Sequence, residues 1–151
     1  RPITAIENFA LGGDATHITG SAPQGKTLRH LLRSVITDHP ADLIHAHATG
    51  TELNDSIELA AIESCATGQP NIYSHKGALG HSLGAAGLVS VVLNCLSHQS
   101  GLIPPNVQTH RPMQTIGVQI VRETIQRPIK RSIAIAAGFG GAMGMISLRS
   151  I

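Results

Sequence analysis

Two short segments of the chain each place a histidine among glycines and other small residues. His47 opens the segment His-Ala-Thr-Gly-Thr-Glu-Leu-Asn-Asp, and His81 lies within Lys-Gly-Ala-Leu-Gly-His-Ser-Leu-Gly-Ala-Ala-Gly. A histidine at the tip of a strand can project into the cleft where open α/β sheets hold their ligands. Two imidazoles that converge there could hold one carbonyl oxygen through their Nε2 hydrogens. We therefore expect His47 and His81 to form one site.

A third segment, Gly138-Phe139-Gly140-Gly141, is a glycine-rich turn between two β-like runs. Taken singly, each segment has an ordinary structural explanation. A lone loop histidine commonly faces solvent or caps a helix, and a glycine turn is usually only a turn. The remaining histidines, which include His45, His75 and His98, are interpreted as structural or solvent-facing. No pair of them has a zinc spacing with a carboxylate or thiol, so no metal is expected.

Strands and helices alternate along the chain, which predicts a layered α/β domain with a mixed sheet. Helices are predicted over 26–38 (ended by Pro40), over 54–66 (capped by Asn54 or Asp55), and over 81–99. The third is apolar on every side, so we expect it to be buried between layers. Segments 14–24 and 101–112 are predicted to be loops, and strands are predicted over 3–11, 42–47, 72–73, 118–121, 133–137 and 142–148.

The composition limits the class of protein. Of the 151 residues, 42% are hydrophobic and 13% are charged, which fits one globular domain and excludes a strongly solvated disordered chain. A formal net charge of +2 with two Phe, one Tyr and no Trp does not supply the basic stripes and stacking platforms of nucleic-acid binders. No apolar run reaches the length of about 18 residues that spans a membrane. We expect neither nucleic acid nor membrane as a partner.

The chain begins Arg1-Pro2 without an initiator Met or a leader, so we expect a fragment or a chain whose start has been removed. Its two cysteines, Cys65 and Cys95, provide neither a disulfide framework nor a metal knuckle. We expect both to be inert helical thiols and the protein to be cytoplasmic.

Together the three segments resemble those of the β-ketoacyl-acyl-carrier-protein synthases of fatty-acid and polyketide assembly, in the thiolase superfamily. That family carries His-Gly-Thr-Gly-Thr-x-x-Asn-Asp, Lys-x-x-x-Gly-His-x-x-Gly-Ala-Ala-Gly and Gly-Phe-Gly-Gly segments in the same order. Two further segments, 102–106 and 14–19, also look like family segments, so the resemblance covers nearly the whole chain.

The resemblance implies residue roles. His47 and His81 would be the catalytic histidines that steady a malonyl thioester oxygen during decarboxylation, with Lys76 as the structural and electrostatic lysine near His81. No cofactor is implied. Further residues would bind or gate the acyl substrate, or hold the loop near the site: Phe139, Thr49, Thr51, Gly138 and Gly140 for the first role, Asp55 and Glu58 for the second.

The resemblance also implies an architecture and partners. Residues 1–151 would be one C-terminal thiolase-like domain, with a central mixed five-stranded sheet flanked by helices. The cysteine nucleophile of the family lies in an N-terminal half that is absent, and Cys65 is not its equivalent. The chain alone would be inactive; its partners would be an acyl carrier protein and the missing half, in a full-length protein that forms a homodimer.

Four departures from the family pattern leave alternatives open. Ala48 replaces a glycine at a position whose backbone can need positive φ, Ala137 replaces a second phenylalanine, Ala142-Met143 replaces Thr-Asn, and Ser90 replaces a glutamate. Besides a condensing enzyme, the chain could therefore be part of a non-catalytic, chain-length-factor-like subunit. It could also be a half that serves only in acyl binding or dimerisation.

Overall fold

The computed structural model describes residues 2–17 and 22–151, so Ile18 and Thr19 of the predicted family segment lie outside the described residues. Strands and helices alternate as far as residue 100, as the sequence predicts, and the rest of the chain forms strands joined by loops and a 3₁₀ turn. The strands are β1 (Thr4–Gly13), β2 (Leu43–His45), β3 (Asn71–Tyr73), β4 (Leu102–Ile103), β5 (Gln119–Ile120), β6 (Ile125–Gln126), β7 (Arg131–Ala137) and β8 (Ala142–Ser150). The helices are α1 (Lys26–Val35), α2 (Glu52–Cys65), α3 (Lys76–Leu79) and α4 (Ala86–Ser100), with 3₁₀ turns at Leu83–Ala85 and Phe139–Gly141.

The main sheet is mixed and has six strands in the order β1-β8-β7-β2-β3-β5, one more than the five expected. The strands β7, β2, β3 and β5 run parallel. β8 runs antiparallel to β7, and the edge strand β1 runs antiparallel to β8. The two-residue β5 pairs with β3 only through Gln119–Asn71 and Ile120–Ile72. The sequence predicts a strand over 118–121, which contains β5, whereas the count of five came from the family resemblance.

Helices cover the two faces of the sheet. Along β7, Ile133 and Ile135 belong to the core beneath α1 and α2, whereas Ser132 bonds to His98 of α4. This alternation follows from the period of two in a strand. A second apolar cluster lies near β3 and β4: Leu43, Tyr73, Ile103, Val121 and Ile129.

The bounds of the first two helices differ from the predicted ones. α1 ends at Val35 rather than at 38, since Ile36 is already extended with φ −75° and ψ 123°. α2 begins at Glu52 with Thr51 as its N-cap residue, so the predicted caps Asn54 and Asp55 were wrong. Segment 101–112, predicted as a loop, contributes β4, which pairs with β6 in a small second sheet.

The third predicted helix begins five residues later than predicted, at Ala86, so His81 lies outside it. α3 ends before Gly80, whose φ of 75° breaks the helix, and α4 starts only at Ala86. Nor is α4 buried on every side. Its inner face is small and polar, whereas Leu88, Val92 and Leu96 are 68%, 49% and 50% exposed. Among the described residues no further layer covers this apolar side of α4.

No helix in the described ranges is both long and apolar enough to cross a membrane.

Candidate active site

The site lies where three neighbouring parallel strands end. β2 is flanked by β7 and β3, with His45 in register with Ala134 and Tyr73. The chain leaving β2 carries His47, the chain leaving β3 carries Lys76 and then His81, and β7 ends at Ala137. Because the carboxyl ends of parallel strands lie at one edge, these side chains meet there, as ligand sites of open α/β sheets do.

The structure brings His47 and His81 together, with ring centroids 5.5 Å apart and ring planes at 78°. The backbone N–H of Ala137 donates to Nδ1 of His47 over 3.2 Å. In the same way, the N–H of Leu83 donates to Nδ1 of His81 over 3.0 Å. An Nδ1 that accepts a hydrogen bond is unprotonated, so the hydrogen of each neutral imidazole is on Nε2. Both Nε2 atoms are therefore donors.

Electrostatics keep His47 neutral. Burial, followed by the electrostatic effects of Lys76 and His81, lowers the pKa of His47 to about 4. His47 is half-buried, whereas His81 is solvent-exposed in this chain. The difference arises because His47 follows a central strand directly, whereas His81 lies in the loop between α3 and α4.

Two carboxylates of α2 hold the loop that carries His47. The two oxygens of Glu58 accept the N–H groups of His47 and Ala48 at 2.7 and 2.8 Å. Asp55 accepts those of Thr49 and Gly50, both at 3.0 Å. Burial raises the pKa of both carboxyl groups, against the opposing effect of these hydrogen bonds. Asp55 thus binds the loop from the first turn of α2, which explains why it is not the helix cap.

Lys76 links the two histidine segments. Its Nζ donates to the backbone carbonyl of His47, and Lys76 itself begins the segment that leads to His81. Burial lowers the pKa of Lys76, and the charges of Glu58 and Asp55 oppose that shift. The ammonium group therefore compensates two carboxylates that lie within the same half-buried cluster.

A cleft of about 560 Å³ opens in front of the two histidines. The size falls within the range of small-molecule sites, which are concave and mostly apolar. Its rim includes Phe139, which is 79% exposed, and the turn that follows it bends at Gly140 with φ 74°. Most of the residues expected to act on or bind substrate line this cleft: His47, Thr49, Thr51, His81, Gly138 and Phe139. The remaining lining residues are Leu28, Asn54, Asp55, Glu58, Leu83, Gly84, Ala137 and Met143.

The departures from the family pattern have structural consequences. Ala48 has φ of 31°, which confirms that this position needs a backbone conformation suited to glycine. Met143 is buried and lines the cleft. Ser90 lies on the buried face of α4, where its hydroxyl donates to the carbonyl of Ala86.

Two histidines that the sequence does not assign to the site lie behind it. His45 and His75 are predicted to be structural or solvent-facing; both are fully buried, and a ring nitrogen of one lies 2.9 Å from a ring nitrogen of the other. One signal was available, because His45 interrupts the apolar strand Leu43-Ile44-His45-Ala46 two residues before His47. Cys65, by contrast, lies at the end of α2, away from the cleft-lining residues, with its thiol near the carbonyl of Arg29. Among the described residues no cluster of three or more His, Cys, Asp or Glu could hold a metal ion.

Comparison with known proteins identifies the class. The family described as beta-ketoacyl synthase, C-terminal domain, matches residues 3–110. The chain belongs to this family. It is 31% identical to 3-oxoacyl-[acyl-carrier-protein] synthase 2 of Rhizobium meliloti (strain 1021), over 95% of the chain and 36% of that protein. It is 32% identical to the corresponding synthase 1 of Escherichia coli (strain K12), over 86% of the chain and 33% of that protein.

Solved structures support the fold. A chain of a type II polyketide synthase acyl-carrier protein in complex with its ketosynthase, bound to the hexaketide, superposes with a TM-score of 0.88 at 23% identity. That match covers 97% of this chain and 38% of the other. The ishigamide ketosynthase/chain length factor gives 0.78 at 24% identity, with the same coverage. The fold is thus the thiolase-like α/β fold of ketosynthases, and this chain spans about a third of the length of the curated relatives.

Proposed function

We propose that this chain is the C-terminal part of a condensing enzyme that joins an acyl thioester to malonyl-acyl-carrier protein with loss of carbon dioxide. One observation carries the proposal: both site histidines accept a backbone N–H at Nδ1, which leaves two Nε2 hydrogens beside one cleft. Such a pair suits an oxygen that becomes negatively charged, because preorganised donors stabilise developing charge in a partly dry site. Family membership supports the same reaction class.

In the proposed reaction, an acyl group is first carried on a cysteine outside this chain. The bond between the malonyl methylene and its carboxylate breaks, carbon dioxide leaves, and the electron pair moves onto the thioester as an enolate. The enolate oxygen accepts hydrogen bonds from His47 and His81. Its carbon then attacks the acyl thioester carbon, a carbon–carbon bond forms, and the cysteine sulfur leaves as thiolate. No cofactor takes part.

The other residues would support this chemistry without transferring protons. Lys76 binds the His47 carbonyl, and Glu58 and Asp55 bind the N–H groups of the same loop, so they hold the first histidine in place. Phe139 at the exposed rim would gate the acyl pocket, with Thr49, Thr51, Gly138 and Gly140 as the substrate-binding surroundings. Residues 1–151 would form one C-terminal thiolase-like domain.

The cysteine-bearing half of the same synthase would cover the apolar surface of this chain. Besides the exposed face of α4, the edge strand β1 exposes Ile6, Phe9 and Leu11. Apolar patches of this kind mark contact surfaces. The chain corresponds to only 36% of a full-length relative, which leaves ample sequence for such a half.

An acyl carrier protein would deliver the acyl and malonyl groups. The named substrate carrier of the curated relatives supports this partner. We further propose a homodimer of the complete protein. The two free thiols of this chain, Cys65 and Cys95, are compatible with a reducing cytoplasm, which we propose as the location of the protein.

Release of carbon dioxide from radiolabelled malonyl-acyl-carrier protein tests the proposal. The assay uses the complete natural protein, together with the polypeptide that carries the cysteine where the two are separate. We expect His47→Ala and His81→Ala each to lower the rate by about 10²–10³-fold, the usual effect of removing one such donor. His30→Ala, an exposed change on α1, is the matched control. Unchanged decarboxylation in both site variants would refute the enzyme assignment.

A non-catalytic partner subunit is the second candidate. It is favoured by Met143, which places an apolar side chain at the cleft where the family has a polar one. This candidate predicts no decarboxylation by the wild-type protein, and a residue other than cysteine at the nucleophile position. A third possibility, a half that only binds acyl groups or dimerises, predicts acyl binding that is insensitive to His47→Ala and His81→Ala.

A further inference from the structure

A chain of buried polar side chains runs behind the site and takes no part in the proposed chemistry. Asn94 of α4 donates from Nδ2 to the carbonyl of Ile133 in β7, at 3.3 Å. Its Oδ1 lies 3.0 Å from Nδ1 of His45, and Nε2 of His45 lies 2.9 Å from Nδ1 of His75. Asn94, His45 and His75 are all fully buried.

The donor and the acceptor of each hydrogen bond among Asn94, His45 and His75 can be assigned. Because Nδ2 of Asn94 faces a carbonyl, Oδ1 must be the atom that faces His45, and it can only accept. Nδ1 of His45 therefore donates, and Nε2 of His45 accepts. The backbone N–H of His75 also points at that Nε2, at 3.4 Å, which agrees with its acceptor role. Nδ1 of His75 must then be the second donor.

The two histidine pairs thus have opposite tautomers. His45 and His75 carry their hydrogens on Nδ1, whereas His47 and His81 carry theirs on Nε2. Nε2 of His75 is left as a bare acceptor, and it has no hydrogen-bonding partner in the described part of the chain. It is also fully enclosed, so the atom of His75 that makes a specific contact is Nδ1. Burial lowers the pKa of His45 to about 3 and also lowers that of His75, so both stay neutral.

The hydrogen bonds among Asn94, His45 and His75 connect the segments that carry the active site. Ile133 belongs to β7, whose last residue binds His47, and His45 lies two residues before His47. His75 immediately precedes Lys76, which donates to the His47 carbonyl. A shift of His75 relative to His45 would therefore move Lys76, and with it the loop leading to His81. Misplacement of catalytic groups by about 1 Å can cost 10²-fold in rate.

We propose that the Asn94–His45–His75 relay positions the two catalytic histidines: the bond between His45 and His75 fixes the loop of Lys76 and His81 against the strand end that carries His47. His45, His75 and Asn94 are positioning residues and do not touch substrate. The proposal rests on the proposed function for its activity readout, but its structural part can be measured without turnover.

Two variants of His75 separate the relay from any role of Nε2. In His75→Asn the side-chain amide lies near the former Nδ1 and can still donate to His45; in His75→Gln it lies near the former Nε2 and cannot. We expect His75→Asn to keep kcat for decarboxylation within about threefold and His75→Gln to lose about tenfold or more, with KM little changed in both. Equal losses, or a better-preserved His75→Gln, would overturn the proposal.

Nitrogen-15 NMR of the histidine rings in the complete wild-type protein tests the relay independently of activity and of whether any variant folds. We expect Nδ1–H tautomers for His45 and His75 and Nε2–H tautomers for His47 and His81. A hydrogen on Nε2 of His45 or His75 would overturn the relay. If wild-type protein decarboxylates nothing yet shows this pattern, the proposed function fails while the relay stands.

Discussion

The backbone N–H of Ala137 donates a hydrogen bond to Nδ1 of His47 over 3.2 Å, and this bond decides which atom of His47 can act. It joins the end of β7 to the end of β2, two neighbouring parallel strands. Since Nδ1 is occupied as an acceptor, Nε2 is the atom that can donate to a substrate oxygen. The strand pairing itself therefore sets the tautomer.

Replacing His47 by amides tests that assignment. Gln places its amide near the former Nε2, so we expect His47→Gln to retain part of the decarboxylation rate, with a loss of about tenfold. Asn places its amide near the former Nδ1, and His47→Asn should lose about 10²–10³-fold, as expected when a donor to the developing charge is removed. Steady-state kinetics on the complete protein measures both. Equal rates for the two variants would contradict the tautomer.

Ala48 carries a backbone strain that glycine would relieve. Its φ of 31° lies in the left-handed region, where a β-carbon costs about 1 kcal/mol. We expect Ala48→Gly to raise the free energy of unfolding by up to that amount, measured by chemical denaturation. Ala60→Gly, at an exposed site inside α2, is the opposite control and should lower it by about 1 kcal/mol. A destabilising Ala48→Gly would show that the strain is absent.

The sequence predicts those features that local patterns determine. The period of apolar residues located α1 and the two long strands β7 and β8, and the motif order brought His47 and His81 to one cleft. It could not show that α4 begins only at Ala86 and leaves His81 in a loop, because residues 81–85 suit a helix as well as the residues that follow them. The contact between His45 and His75 depends on the pairing of β2 with β3, which is a long-range contact, so the histidine within the apolar strand 43–46 does not by itself reveal its partner.

Two glycines of one turn should respond very differently to a methyl group. A β-carbon at Gly141 would lie 1.7 Å from the backbone oxygen of Asp14, whereas one at Gly140 would meet nothing within 4 Å. Both have positive φ, 79° and 74°. We expect Gly140→Ala to cost about 1 kcal/mol of stability, from its backbone conformation alone. Gly141→Ala should cost several times more, because the backbone contact at Asp14 cannot give way cheaply. Thermal unfolding of both variants measures the gap, and similar melting temperatures would contradict the close approach.

Glu58 tests the role of the carboxylates. In Glu58→Gln one oxygen becomes an NH₂ group that faces the N–H of His47 or Ala48, so a buried donor loses its partner. Such a loss costs about 1–3 kcal/mol. We expect a fall of that size in the free energy of unfolding. Glu123→Gln, at an exposed position, should change it by less than about 0.5 kcal/mol. A neutral Glu58→Gln would mean that the loop does not depend on this carboxylate.

The buried histidines make the stability of the protein depend on pH. The pKa of His47 is lowered from 6.5 to about 4, and that of His45 from 6.5 to about 3. Below pH 6.5 these histidines bind protons in the unfolded chain but not in the folded protein. The free energy of unfolding therefore falls as the pH drops toward the pKa values of the folded state. Urea denaturation between pH 7 and pH 4.5 should show this decline, and it should be shallower in His45→Asn, which removes one of the histidines whose pKa is lowered by burial. Ala60→Ser, an exposed change on α2 that alters no titratable group, is the control and should leave the slope unchanged. A slope that His45→Asn does not reduce would mean that His45 accepts a proton in the folded protein.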